Sequence, residues 1–162
     1  MTLADTGLDA LTGARVKRVQ APVGNEPFFL TYGDGVSDVD LGKLLAHHRA
    51  SGAIGTVTGV APPGRFGELD LDGDRVTSFS EKPEVTGGFI NGGFFVFEPR
   101  LFEYLNVDDG SLEADALERL AEDGQLAAFR HEGFWQCMDT LRDKRSLETL
   151  WNERRAPWKV WE

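Results

Sequence analysis

The chain switches several times between continuous apolar runs and amphipathic stretches, and each switch is marked by Gly, Pro or Asp. Residues 28–32 (Phe-Phe-Leu-Thr-Tyr) form an apolar run of strand-forming residues that stops at Gly33-Asp34-Gly35. Residues 40–51 then place Leu41, Leu44 and Leu45 at helical spacing, with Asp38 or Asp40 as the cap and Gly52 as the stop. The resulting order is strand, tight turn, helix. Residues 53–61 are β-rich again, so the helix reads as the crossover of a β-α-β unit. Residues 66–71 and 75–80 read as two strands joined through Asp72-Gly73-Asp74, a hairpin signal.

The second half repeats the alternation. Residues 89–97 are a strand with Gly92-Gly93 inside it, and Pro99 opens a short helix through Leu105. Ser111 caps a helix over 112–122, with Leu112, Ala116, Leu117 and Leu120 on one face and Asp123-Gly124 as its stop. Residues 125–131 are a further strand. Residues 133–140 carry a bulky apolar segment into a single carboxylate, Asp139. Asp139 or Thr140 caps a last helix to about residue 155, with Leu141, Leu147, Leu150 and Trp151 as its apolar residues. The simplest reading of Asp139 is that cap, and of Cys137 core packing. Residues 12–19 suggest a short helix with a basic face, and nothing before Phe28 reads as a buried strand. Strands alternating with helices predict an α/β fold, a mostly parallel (mixed) sheet flanked by helices.

Composition narrows the classes. A length of 162 residues predicts one domain, and 41% hydrophobic with 27% charged residues predicts a packed core. The formal net charge is −10, which argues against a nucleic-acid polymer or an anionic membrane as partner. A nucleotide remains compatible, because local cations or Mg²⁺ offset global charge. One cysteine, Cys137, excludes an internal disulfide framework and fits a cytoplasmic location. The run of scattered Asp and Leu at the start has no signal-peptide character, and no apolar run is long enough to span a bilayer.

Several positions carry candidate chemistry, each beside a plainer reading. Asp34 lies between two glycines at a strand end, where ligands bind in open α/β sheets. It is a metal ligand next to a phosphate, or it is a turn residue. Glu81-Lys82-Pro83 sets a carboxylate and an ammonium together after the hairpin, for hydroxyls and phosphate or as a solvated pair. Asn91 precedes a glycine pair that marks a close backbone approach or a β-bulge. His47 and His48 are adjacent on a helix, a poor metal pair, and read as surface or packing residues. The tail, with Trp158 and Trp161, points to a subunit contact and a homo-oligomer.

In order, these stretches resemble one family. Tyr32-Gly33-Asp34-Gly35-Val36-Ser37-Asp38, Arg65-Phe66-Gly67, Phe79-Ser80-Glu81-Lys82-Pro83, Asn91-Gly92-Gly93-Phe94-Phe95-Val96, Asp123-Gly124-Gln125-Leu126 and residues 133–143 resemble sugar-1-phosphate nucleotidylyltransferases, in particular the cytidylyl branch. The resemblance covers essentially the whole chain. It implies a Rossmann-like nucleotidyltransferase fold and the joining of CTP to glucose 1-phosphate, with CDP-glucose and pyrophosphate as products. It implies that Asp34 and Asp139 hold a catalytic Mg²⁺. It further implies that Lys82 binds the sugar phosphate, Glu81 the sugar hydroxyls, and that Gly67 and Asn91 line the sugar site. The chemistry agrees with phosphoryl transfer, where positioning and charge neutralisation carry catalysis.

The family's opening Gly-rich loop, of the form Leu-Ala-Gly-Gly-x-Gly-Thr-Arg, is absent from these residues. The resemblance therefore implies the C-terminal portion of the family domain, with impaired activity and with the strand at Phe28 lacking a neighbour. The alternatives are a non-catalytic remnant or oligomer partner of an intact homologue, and an enzyme using UTP or dTTP.

Overall fold

The structure, a computed structural model, describes residues 1–61, 68–72, 75–80, 88–108 and 110–161, with 68–72 and 78–80 described as backbone only. Two short helices, α1 (Thr12–Arg18) and α2 (Gln20–Val23), precede strands β1 (Phe28–Thr31) and β2 (Gly35–Ser37). Helix α3 (Leu41–Ser51) leads to β3 (Gly55–Val60), and β4 (Glu68–Asp72) and β5 (Arg75–Ser80) form the expected antiparallel hairpin. Strand β6 (Ile90–Phe97) is followed by a 3₁₀ turn over Pro99–Glu103 and a π-helical stretch over Leu112–Leu117 that continues as α4 (Glu118–Glu122). Strands β7 (Leu126–His131) and β8 (Trp135–Cys137) and helix α5 (Leu141–Asn152) complete the order. The class is α/β, a mixed sheet flanked by helices, as the alternation predicts. No helix among the described residues is long and apolar enough to cross a membrane.

The chain divides into two compact units. The first comprises Met1–Thr31, Asp40–Thr58 and Gly93–Phe129, and the second Tyr32–Val39, Gly59–Gly92 and Arg130–Glu162. In the first, strands follow the order β1-β6-β3-β7, with β1 antiparallel to β6 in the register Phe28↔Phe97 to Thr31↔Phe94. Strand β6 is buried on both faces there: Phe95, Val96 and Phe97 are all fully enclosed. That is why its sequence is a continuous apolar run instead of an alternating one. The rings of Phe95 and Phe97 stack at 5.3 Å, and Phe28 stacks on Phe102 at 5.5 Å. Leu44, Leu101, Leu112, Ala116 and Leu120 close the same core.

Local signals act where the sequence places them. Asp40 caps α3 by accepting the Lys43 N–H at 3.0 Å, which lowers its own pKa. Gly52 and Gly124, both left-handed at φ 67° and 65°, end α3 and α4. Of the expected stripe on α3, Leu44 is buried but Leu41 is half exposed. His48 takes the neighbouring inward position, fully buried, with Nδ1 2.9 Å from Thr56 Oγ1 and Nε2 3.3 Å from Glu98 Oε1. It is a satisfied packing residue, and burial pushes its pKa down against the opposing pull of Glu98.

Two expectations need correction, and one of the two tail tryptophans is covered within the chain. The turn at Gly33-Asp34-Gly35 is not followed directly by a helix: β2 intervenes, paired with β8. On α5 only Leu147 is buried, while Leu141 and Trp151 are exposed, and the helix ends at Asn152. Of the two tail tryptophans, Trp158 is half buried, stacked on Phe134 at 5.4 Å, and Trp161 is exposed.

Candidate active site

The second unit is organised on the β2–β8 ladder. It is three residue pairs long, Gly35↔Cys137, Val36↔Gln136 and Ser37↔Trp135, and antiparallel. A ladder this short is marginal by itself, and each end carries an extra backbone bond. At one end the Met138 N–H donates to the Asp34 carbonyl at 2.8 Å. At the other the Asp38 N–H donates to the Phe134 carbonyl at 3.2 Å. The first bond brings the backbones of Asp34 and Asp139 to one ladder end, although the residues are far apart in sequence. Both side chains are exposed.

Asp139 is not the cap of α5. Thr140 takes that role, its hydroxyl accepting the Asp143 N–H while the Asp143 carboxylate accepts the Thr140 N–H at 3.0 Å and its O–H at 2.8 Å. This reciprocal box satisfies the helix start. Asp139 instead accepts from the Cys137 thiol at 3.1 Å, so Cys137 is a half-buried neighbour of a carboxylate and not a core residue.

The far ladder end is held by a polar cluster. His131 Nε2 lies 2.9 Å from Asp38 Oδ1, 3.1 Å from Ser37 Oγ and 3.2 Å from the Phe134 carbonyl. A carbonyl and a carboxylate can only accept, so Nε2 carries the proton. Ser37 Oγ in turn donates to the Phe134 carbonyl at 2.8 Å. Although Ser, His and Asp are present, serine and carboxylate meet the same ring nitrogen. The cluster therefore cannot relay a proton through the ring as a nucleophilic triad does.

The start of β6 is tied to the same ladder. The Trp135 indole N–H donates to the Gly92 carbonyl at 2.7 Å, and Asn91 Nδ2 donates to Tyr32 Oη at 3.2 Å. Asn91 thus has a defined partner, Tyr32, in the second unit. Gly67, Glu81 and Lys82 lie outside the described residues. A cavity of about 550 Å³ lined by Trp151, Asn152, Arg154, Ala156 and Lys159 contains none of the sequence-predicted site residues. Among the described residues there is no cluster of three or more His, Cys, Asp or Glu side chains suited to a metal. Tyr32, Trp135 and the His131 cluster were not singled out from sequence. Tyr32 and Trp135 stand inside the quoted motifs, but their partners are supplied only by the folded chain.

Over its full length the chain is 50% identical to the glucose-1-phosphate cytidylyltransferase of Salmonella typhi, covering 63% of that protein. It is 41% identical to a probable glucose-1-phosphate cytidylyltransferase of Bacillus subtilis, with 99% of this chain and 63% of that one covered. It therefore spans a little under two thirds of the length of these curated relatives. Among solved structures, HddC from Yersinia pseudotuberculosis shares the fold at a TM-score of 0.64 and 24% identity, over 86% of this chain and 62% of that one. Residues 9–147 match the family described as nucleotidyl transferase, and the chain belongs to that family.

Proposed function

We propose that the protein transfers a cytidylyl group from CTP to glucose 1-phosphate, giving CDP-glucose and pyrophosphate in the cytoplasm. The choice of base and sugar is supported by the 50% identity to a cytidylyltransferase for glucose 1-phosphate. The observation that carries the site is the Met138–Asp34 bond at the end of the β2–β8 ladder, beside which Asp139 follows.

In the reaction a phosphate oxygen of glucose 1-phosphate attacks the α-phosphorus of CTP in line. The new P–O bond forms as the bond to the β-phosphate oxygen breaks, and pyrophosphate leaves with that electron pair. Two carboxylates suit Mg²⁺, which takes one or two such ligands and completes its shell with phosphate oxygens and water. Asp34 and Asp139 would hold it. When bound, it neutralises charge developing on the phosphates. Lys82 balances the sugar phosphate, Glu81 accepts from sugar hydroxyls, and Gly67 and Asn91 line the sugar site. With reactants held in this way, the gain is chiefly one of orientation.

The test is pyrophosphate release from CTP, UTP or dTTP with glucose 1-phosphate and Mg²⁺, on the longest in-frame product of the gene. CTP is expected to be preferred by at least about tenfold, with CDP-glucose identified by mass. Preference for UTP or dTTP, or release with none of the three, would overturn the reading.

A further inference from the structure

We infer that Trp135 and Tyr32 are positioning residues that set the sugar subsite against the carboxylate pair and so determine sugar selectivity. The inference rests on the proposed role of Asn91 in the sugar site. Asn91 and Gly92 are adjacent at the start of β6, and each is gripped from a different stretch of the second unit. Tyr32 Oη accepts from the Asn91 carboxamide, which determines which way that group points. Trp135 Nε1 holds the Gly92 carbonyl at 2.7 Å, which fixes the height of the backbone carrying Asn91. An indole N–H is a donor only, so this bond has one polarity and one geometry.

Trp135 is also a ladder residue, paired with Ser37. Two residues further along, the same ladder brings Cys137 opposite Gly35, beside Asp34. One half-buried side chain therefore connects the strand carrying Asn91 to the ladder that carries Asp34 and Asp139. In-line attack needs the sugar phosphate held at a fixed distance from the reacting phosphorus, and misplacement by about an ångström is costly. A sugar is discriminated by hydrogen bonds to hydroxyls, and those select only when the protein partner cannot follow a displaced hydroxyl.

The experiment is calorimetric titration of the 162-residue chain with glucose 1-phosphate and with galactose 1-phosphate, which differ in the orientation of one hydroxyl. Trp135→Phe keeps an aromatic ring, though a smaller one, and removes the N–H, and Tyr32→Phe removes only the hydroxyl. Each variant is expected to bind glucose 1-phosphate about tenfold more weakly. The glucose-to-galactose preference is expected to fall by at least about threefold. A purely structural role would weaken both sugars alike and leave the ratio intact, and that result in both variants overturns the inference. Failure of the unaltered chain to bind either sugar phosphate overturns the sugar-site reading itself, a result distinct from binding with an unchanged ratio.

Discussion

His131 and Asp38 meet at 2.9 Å, with the imidazole side chain almost wholly enclosed and the carboxylate about one third exposed. The pair closes the β2–β8 ladder at the end opposite Asp34. It leaves no space at Gly133: a Cβ there would lie 2.5 Å from Asp38 Oδ1 and 2.7 Å from His131 Cε1.

Gly133→Ala must therefore displace one partner and open the pair. Overpacking of this kind costs about 1–3 kcal/mol, which is expected as a lowered urea midpoint with an unchanged slope. Gly24→Ala is not a suitable control because of its positive φ, whereas Gly33 has no atom near the added Cβ and no such φ. Gly33→Ala is expected to leave the midpoint within about 0.5 kcal/mol.

His48 makes stability depend on pH. Burial lowers its folded pKa below the ordinary 6.5, so the unfolded chain binds the proton more readily. Its contribution is fully present above pH 6.5 and is lost as pH falls toward the lower folded value. Urea unfolding at pH 8, 7, 6 and 5 should show stability falling below about pH 6.5, and His48→Asn should flatten that fall. An equally steep fall in the variant would assign it to other groups.

The parts of the fold legible in sequence are those set by neighbours along the chain. Asp40 and Gly52 bound α3, and Asp72 pairs with Arg75 across the hairpin, because caps and turns act within a few residues. Strands β2 and β8 were not legible as a pair. Each is three residues long, and their pairing joins segments about a hundred residues apart. A separation of 43 residues likewise hid the Trp135–Gly92 bond. Asp139 and Thr140 are adjacent and either residue type can cap a helix, so the sequence leaves both open; Thr140 takes the cap through its box with Asp143. Asp34 is a candidate through its strand-end position between two glycines as well as its motif, whereas Asp139 is one through its motif alone.

The tail is held by one tryptophan and not the other. Trp158 stacks on Phe134, whose carbonyl accepts from Ser37 and Asp38, so the stack supports the same ladder end. Trp158→Ala is expected to cost about 1–3 kcal/mol. Trp161 is exposed, and Trp161→Ala should change stability by less than about 0.5 kcal/mol. Denaturation curves for both variants, measured side by side, check this. Equal losses would assign Trp161 a packing role as large as that of Trp158.

Asp139 and Thr140 are neighbours with separable roles, which allows a clean comparison. Thr140 closes the capping box, so Thr140→Ala should cost about 1 kcal/mol of stability. Its effect on Mg²⁺ dependence should be small. Asp139 is exposed and does not cap, so Asp139→Asn should change stability little. If it helps to hold Mg²⁺, the same change should lower CTP-dependent turnover at least about a hundredfold and raise the Mg²⁺ concentration for half-activity. Asp34→Asn should behave alike, since its backbone is joined to the same segment through Met138. The assay is pyrophosphate release across a Mg²⁺ series, with thermal midpoints for all three variants. Near-normal turnover by both Asn variants would reduce Asp34 and Asp139 to ordinary loop residues. A loss in Thr140→Ala as large as in Asp139→Asn would mean that helix position, not the carboxylate, governs the site.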